Sequence, residues 1–88
     1  MKLIECADGT IIFYCPACEM NHGINKTWVI SKDMENPTIT PSILSRTPNY
    51  KGIPDYKCHM FVKNGMIEYL SDCSHWMAGK TIKMEETK

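Results

Sequence analysis

Two thiols at Cys-x2-Cys spacing constrain this chain more than any other feature of its sequence. They lie in the segment Phe13-Tyr-Cys-Pro-Ala-Cys-Glu-Met-Asn-His22. A Cys-Pro-x-Cys turn lets both sulfur atoms converge on one point while backbone N–H groups turn toward them, as in tetrahedral zinc sites. Two later clusters, Cys58-His59 and Asp72-Cys73-Ser-His75, supply further candidate ligands. The sequence therefore predicts small strands tied together at a metal ion.

Length and charge limit the alternatives. An 88-residue chain is expected to form one domain over residues 1–88, near the size at which an apolar core alone gives only a few kcal/mol of stability. Ten basic and ten acidic residues leave no surplus that favours nucleic acid. The first residues carry charge too early for a signal peptide, and no apolar run could span a bilayer. We expect a reducing cytoplasm, where cysteine pairs bind metal more often than they form disulfides.

Two turn signals predict two antiparallel hairpins. Asp8-Gly9 is typical of a two-residue turn between strands at 2–7 and 10–14, with Ala7 opposite Thr10. Asn64-Gly65 is typical of the same turn between strands at 56–63 and 66–71, with Lys63 opposite Met66.

The remaining segments are weaker in pattern. Residues 27–31 favour a strand, and residues 38–44 favour an edge strand or an irregular arch because prolines interrupt them. Residues 45–55 are predicted to be a long loop. A single helical turn through residues 76–78 would end at Gly79, before a short strand at 81–84. The predicted fold is mainly β: a small zinc-stapled antiparallel domain of two hairpins, short strands and one short helical turn.

The hairpins predict a ligand set. Cys15 and Cys18 follow the first hairpin, and Cys58 and Cys73 lie at the open end of the second, so that Zn²⁺ between them would have four thiolates and no open position. The alternates are the three histidines: His75 is the main competitor for the fourth position, and His22 and His59 are weaker. Cys6 is expected to be a small buried apolar residue. The competing interpretation is a set of reduced cysteines in a β core without metal.

The same segments resemble a family of small proteins encoded in phages and prophages. The resemblance runs from residue 13 to residue 79 and rests on five segments: Cys15-Pro-Ala-Cys-Glu-Met-Asn-His-Gly23, Pro41-Ser-Ile43, Cys58-His-Met-Phe-Val62, Asn64-Gly65 and Asp72-Cys-Ser-His-Trp-Met-Ala-Gly79. That family is a domain of unknown function, sometimes labelled an ammonia monooxygenase. The resemblance implies a phage or prophage origin in a bacterial host, and no established reaction.

Three functions follow as hypotheses. The first is a non-enzymatic zinc-binding module that contacts a protein partner, such as a host protein, through aromatic and apolar residues of the predicted loop. The second is a metal-dependent hydrolase, in which Asp72 or Glu19 would be the general base for a metal-bound water. The third, a nucleic-acid-binding zinc finger, would need a local basic patch; the residues available for it are Arg46, Lys51, Lys57 and Lys63. The sequence leaves the oligomeric state open.

Overall fold

Alternating apolar residues build two antiparallel sheets, which we describe from a computed structural model for residues 1–31, 33 and 35–87. The first sheet has the order β1-β2-β3 and the second the order β4-β5-β6-β7-β8. The strands are β1 Ile4–Glu5, β2 Ile11–Cys15, β3 Met20–Ile24, β4 Val29–Ile30, β5 Ile39–Tyr50, β6 Ile53–Lys63, β7 Met66–Tyr69 and β8 Thr81–Lys83. The predicted mainly β fold is confirmed. Across the described ranges, no helix is long and apolar enough to cross a membrane.

One core lies between the inner faces of the two sheets. Strand β6 is central to it, because its alternate residues Tyr56, Cys58, Met60 and Val62 are all buried. Successive side chains of a strand point to opposite faces, so the residue between Cys58 and Met60, His59, lies on the outer face of the same strand. Strand β6 therefore places Cys58 on its inner face and His59 on its outer face.

The first hairpin has a different register from the predicted one. Strands β1 and β2 pair Ile4 with Ile12 and Glu5 with Ile11, whereas a two-residue turn would have placed Ala7 opposite Thr10. The loop is one residue longer: the Gly9 N–H donates to the Cys6 carbonyl, and the Cys6 N–H donates to the Thr10 carbonyl. Gly9 has a φ of 89°. A three-residue hairpin loop requires a residue in this left-handed conformation, which glycine adopts without steric cost.

Residues 45–55 are not a loop, contrary to the sequence prediction. They form the turn end of a long hairpin in which β5 and β6 pair from Ile43 opposite Met60 to Tyr50 opposite Ile53. The turn is Lys51-Gly52, and both residues have positive φ. Pro48 is tolerated because, within the described residues, the part of β5 around it pairs with β6 alone, and its missing N–H lies on the side that has no partner strand.

The second predicted hairpin has the expected register. Strands β6 and β7 pair Lys63 with Met66, Val62 with Ile67 and Met60 with Tyr69. The predicted helical turn near Gly79 is a non-helical turn instead, in which the Ala78 N–H donates to the His75 carbonyl. Strand β8 then pairs with β7, in the place predicted for the last strand.

Candidate functional site

Four buried side chains meet where the Cys-x2-Cys turn packs against β6. The ligand atoms of Cys15, Cys18, His22 and Cys58 all lie within 4.8 Å of one another. The Sγ atoms of Cys15 and Cys58 are 3.9 Å apart, close to the ~3.8 Å that a tetrahedral centre with metal–sulfur bonds of about 2.3 Å would give. The cluster could hold a metal ion.

His22 reaches this cluster because it lies in a strand. Strand β3 pairs with β2 and places His22 opposite Phe13, on the same face as Cys15. The sequence pattern predicts no strand at these residues, and His22 is therefore only a weak alternate ligand on sequence grounds. The His22 side chain is buried, and its Nε2 atom has no hydrogen-bond partner among the described residues. A buried polar atom without a partner is costly, and coordination of a cation by Nε2 would remove that cost.

The electrostatics of the thiols also fit a cation. Hydrogen bonds with Cys18 and Cys58 lower the pKa of the Cys15 thiol well below its usual range. The hydrogen bond with Cys15 in turn raises the pKa of Cys18 to about 11 and raises that of Cys58 further. Like charges so close together oppose one another's ionisation. A bound divalent cation would allow all three thiols to be thiolates, because metal ligation deprotonates a thiol outright.

Two tyrosines complete the surroundings of the thiols. The Tyr56 hydroxyl donates to Cys18 Sγ at 3.2 Å, and the Tyr69 hydroxyl lies 3.0 Å from Cys15 Sγ. Burial raises the pKa of both tyrosines, so each hydroxyl keeps its proton and can donate a hydrogen bond to a thiolate. Such donors orient metal ligands and tune their charge.

Cys73 lies outside this four-residue cluster. It forms a second group with Cys58 and His75, in which His75 Nε2 is 3.2 Å from Cys58 Sγ. The structure thus brings together three of the four expected thiols, joins His22 to them, and leaves His75 next to Cys58. The ligand set itself stays a prediction, and the geometry favours His22 over Cys73 as its fourth member.

X-ray absorption at the metal edge of the metal-loaded protein is expected to show three sulfur atoms and one nitrogen. Replacement of Cys73 by serine should leave this signal and the metal content unchanged, whereas replacement of Cys58 by serine should reduce both. The reason is that Cys58 Sγ is one of the four clustered ligand atoms, while Cys73 Sγ is not among them. Four sulfur atoms, with loss of one in Cys73→Ser, would restore the four-thiolate assignment.

A second cluster occupies the outer face of the same strand. The His59 Nε2 atom lies 3.2 Å from the Ser42 hydroxyl oxygen, and its Nδ1 atom lies 3.2 and 3.1 Å from the two carboxylate oxygens of Asp72. The hydrogen bond from His59 holds the pKa of the Asp72 carboxyl below its usual range. A carboxylate on Nδ1 selects the tautomer whose Nε2 lone pair faces the serine. Ser42, His59 and Asp72 therefore have the connectivity of a serine–histidine–aspartate triad.

The loop after β7 positions the aspartate. The Leu70 N–H donates to the His59 carbonyl at 2.9 Å, which extends the β6–β7 ladder by one residue. Cys73 then holds the loop to the same residue: its Sγ accepts from the His59 N–H at 3.2 Å and donates to the His59 carbonyl at 3.1 Å. Asp72 lies between these two attachments. Cys73 thus has a structural contact next to the triad.

A bulge in β5 positions the serine. Between the pairs Ile39–Val62 and Ile43–Met60, three residues of β5 lie opposite one residue of β6. Ser42 is the last of these three, and its carbonyl accepts a hydrogen bond from Trp28 Nε1 at 3.3 Å. Bulges of this kind redirect side chains and are common beside active sites. Here the bulge directs Ser42 toward His59.

The comparisons with known proteins place the chain in a family. The model of a family described as the bacterial ubiquitination-like system serine protease (BubE) matches residues 2–70. The chain belongs to the BubE family. No curated protein and no solved structure matches it. The BubE match includes Ser42 and His59 and ends just before Asp72.

The three triad residues share a feature that is visible in the sequence but does not by itself predict a triad. Each triad residue lies inside a segment on which the family resemblance rests, and both His59 and Asp72 adjoin a cysteine. From the sequence, His59 is a weak alternate metal ligand and Asp72 is a candidate base for metal-bound water, and neither is predicted to act with a serine. Glu19, the other candidate base, is exposed and forms an ion pair with Lys51.

Proposed function

We propose that this chain is a serine protease of a bacterial ubiquitination-like system, built on a domain that a zinc ion holds together. The observation that carries the proposal is the hydrogen-bonded series Ser42–His59–Asp72. The description of the BubE family agrees with it. The protein partner expected from the sequence would then be a substrate of this site.

The geometry supports acyl transfer by the ordinary serine mechanism. Ser42 Oγ attacks the carbonyl carbon of the scissile bond while His59 Nε2 takes its proton. His59 gives that proton to the leaving amine, and an acyl-enzyme ester remains on Ser42. A water molecule then attacks the ester, its proton passes to His59, and the carboxylic acid leaves as Ser42 regains a proton. Asp72 keeps the imidazole oriented and stabilises its protonated form throughout.

Zinc is proposed as the structural ion because cysteine and histidine ligands in a tetrahedral cluster favour it. Cys15, Cys18, Cys58 and His22 would hold it. All four residues are buried, so the ion would have no position for water and would link the Cys-x2-Cys turn to β6. This arrangement supports a structural role more than the metal-dependent hydrolase considered from the sequence.

A fluorophosphonate probe tests the nucleophile directly, since it phosphonylates an activated serine. We expect one adduct per chain, located at Ser42 by mass spectrometry, and none in Ser42→Ala. Ser71→Ala is the matched control: Ser71 is exposed and lies next to Asp72 but outside the triad, so this variant should label as wild type does. An adduct elsewhere, or no adduct on folded, metal-loaded protein, would contradict the proposal.

A further inference from the structure

Most of strand β5 has an open edge that begins at the proposed nucleophile. On one side β5 pairs with β6 along nearly its whole length. On the other side β4 pairs only with Ile39 and Thr40. Among residues 1–31, 33 and 35–87, no other strand pairs with β5 on that side. The open edge starts at Ser42 and runs toward the Lys51-Gly52 turn.

The backbone of Leu44 and Arg46 points to this open edge. The His59 carbonyl accepts from Leu70, so the backbone polar groups of His59 face β7. In an antiparallel ladder these groups alternate in direction from one residue to the next. Those of Cys58 and Met60 therefore face β5.

The partners of Cys58 and Met60 are Ser45 and Ile43, and their N–H and C=O groups must face β6 in return. The same groups of Leu44 and Arg46 then face away from β6, into the open edge. Neither residue has a backbone partner on that side in the described part of the chain.

The two ends of this edge are defined. At one end, the Ser42 carbonyl already accepts a hydrogen bond from Trp28 Nε1. This carbonyl belongs to the residue whose hydroxyl would attack a substrate. At the other end, Pro48 has no N–H to offer. Between them Leu44 is 49% exposed, and it lies opposite His59 in the ladder. The edge thus offers a short row of unpaired donors and acceptors that leads to the triad.

We infer that an extended peptide segment of the substrate binds as an added antiparallel strand along Leu44 and Arg46. This inference rests on the proposed protease function and names the form of substrate that the site accepts. Main-chain pairing with a sheet edge supplies affinity for a peptide without requiring a particular sequence. It would align the peptide with β5 and bring a carbonyl to Ser42. A folded substrate would have to present a flexible terminus or linker.

The substitution Arg46→Pro tests the pairing, because it removes the N–H that would bind the substrate. The edge should tolerate this proline, since Pro48 already occupies the next position of the same orientation. Arg46→Ala is the matched control: it also removes the side chain and its contact with Asp55, but it keeps the N–H.

The measurement compares two substrates in each variant. One is a pool of random-sequence decapeptides, with cleavage followed by mass spectrometry, and the other is p-nitrophenyl acetate, which is too small to pair with the edge. The ratio of kcat/KM for a cleaved decapeptide to that for the ester should fall about tenfold in Arg46→Pro relative to Arg46→Ala. Circular dichroism confirms that both variants are folded.

The outcomes separate this inference from the proposed function. Equal ratios in the two variants, or Ser42-dependent hydrolysis of the ester with no decapeptide cleaved, would overturn the strand pairing alone. Hydrolysis that persists unchanged in Ser42→Ala would overturn the proposed function and the inference with it.

Discussion

Replacement of Ser42 by alanine is expected to lower substrate turnover by about 10⁴- to 10⁶-fold, as removal of a triad nucleophile does in serine proteases. His59→Ala should have a similar effect, because His59 Nε2 is the base that lies within hydrogen-bond distance of the Ser42 hydroxyl in the described part of the chain. The double variant should be no slower than either single variant, since the two residues act in one step. The measurement is kcat on a cleaved peptide or an activated ester.

Asp72→Asn supplies a finer test of the same geometry. The amide would keep the shape of the side chain but would favour the tautomer whose Nε2 carries the proton, and turnover should fall by about 10⁴-fold. Ser71→Ala, a change at the neighbouring exposed residue, should leave turnover near that of wild type. Additive losses in the Ser42/His59 double variant, or full activity in Asp72→Asn, would mean that these residues do not form a catalytic unit.

Removal of the metal is expected to unfold the protein. A structural zinc ion contributes on the order of 10 kcal/mol in small finger peptides, and most small domains have no more than about 5–15 kcal/mol of stability in total. Without the ion, His22 Nε2 stays buried with no partner among the described residues, and the Cys-x2-Cys turn loses its link to β6. Chelation followed by circular dichroism should show a cooperative loss of β structure, and added Zn²⁺ should restore it.

The position of the cluster predicts that activity follows the metal. Cys58 and His59 are consecutive residues of β6 that face opposite sides, so the strand held by the metal also carries the proposed base. Cys6→Ser is the control for thiol loss, because Cys6 lies outside both ligand groups; this variant should keep its metal and its fold. A stripped protein with unchanged circular dichroism and full fluorophosphonate labelling would show that the ion is not structural.

Strong local signals were enough to predict much of the framework. The Asn64-Gly65 turn sets the register of β6 against β7, because only this pairing keeps Val62 and Ile67 together on the buried face. The Cys-x2-Cys turn brings Cys15 and Cys18 together for a reason local to the chain. Cys58 joins them because its side chain shares the inner face with Met60 and Val62, as the predicted alternation required.

Weaker local patterns failed where pairing between distant segments decided the outcome. The prolines and glycine of residues 45–55 suggested a loop, but the open edge of β5 tolerates Pro48 and the turn needs Gly52. Without that hairpin, nothing in the sequence placed Ser42 near His59. Strand β3 was missed for a related reason, since its residues show little β propensity and are held by pairing with β2.

The mainly β fold and the meeting of thiols from the two halves of the chain could both be predicted from the residues. Both conclusions depend on turns and on side-chain alternation, which act over a few residues. Three features came from long-range packing instead: His22 joins the buried cluster, Cys73 holds a loop to His59, and Ser42, His59 and Asp72 are hydrogen-bonded in series. These three contacts join residues of different strands and loops, and their geometry depends on the β5 bulge and on ladder registers that no local pattern specifies.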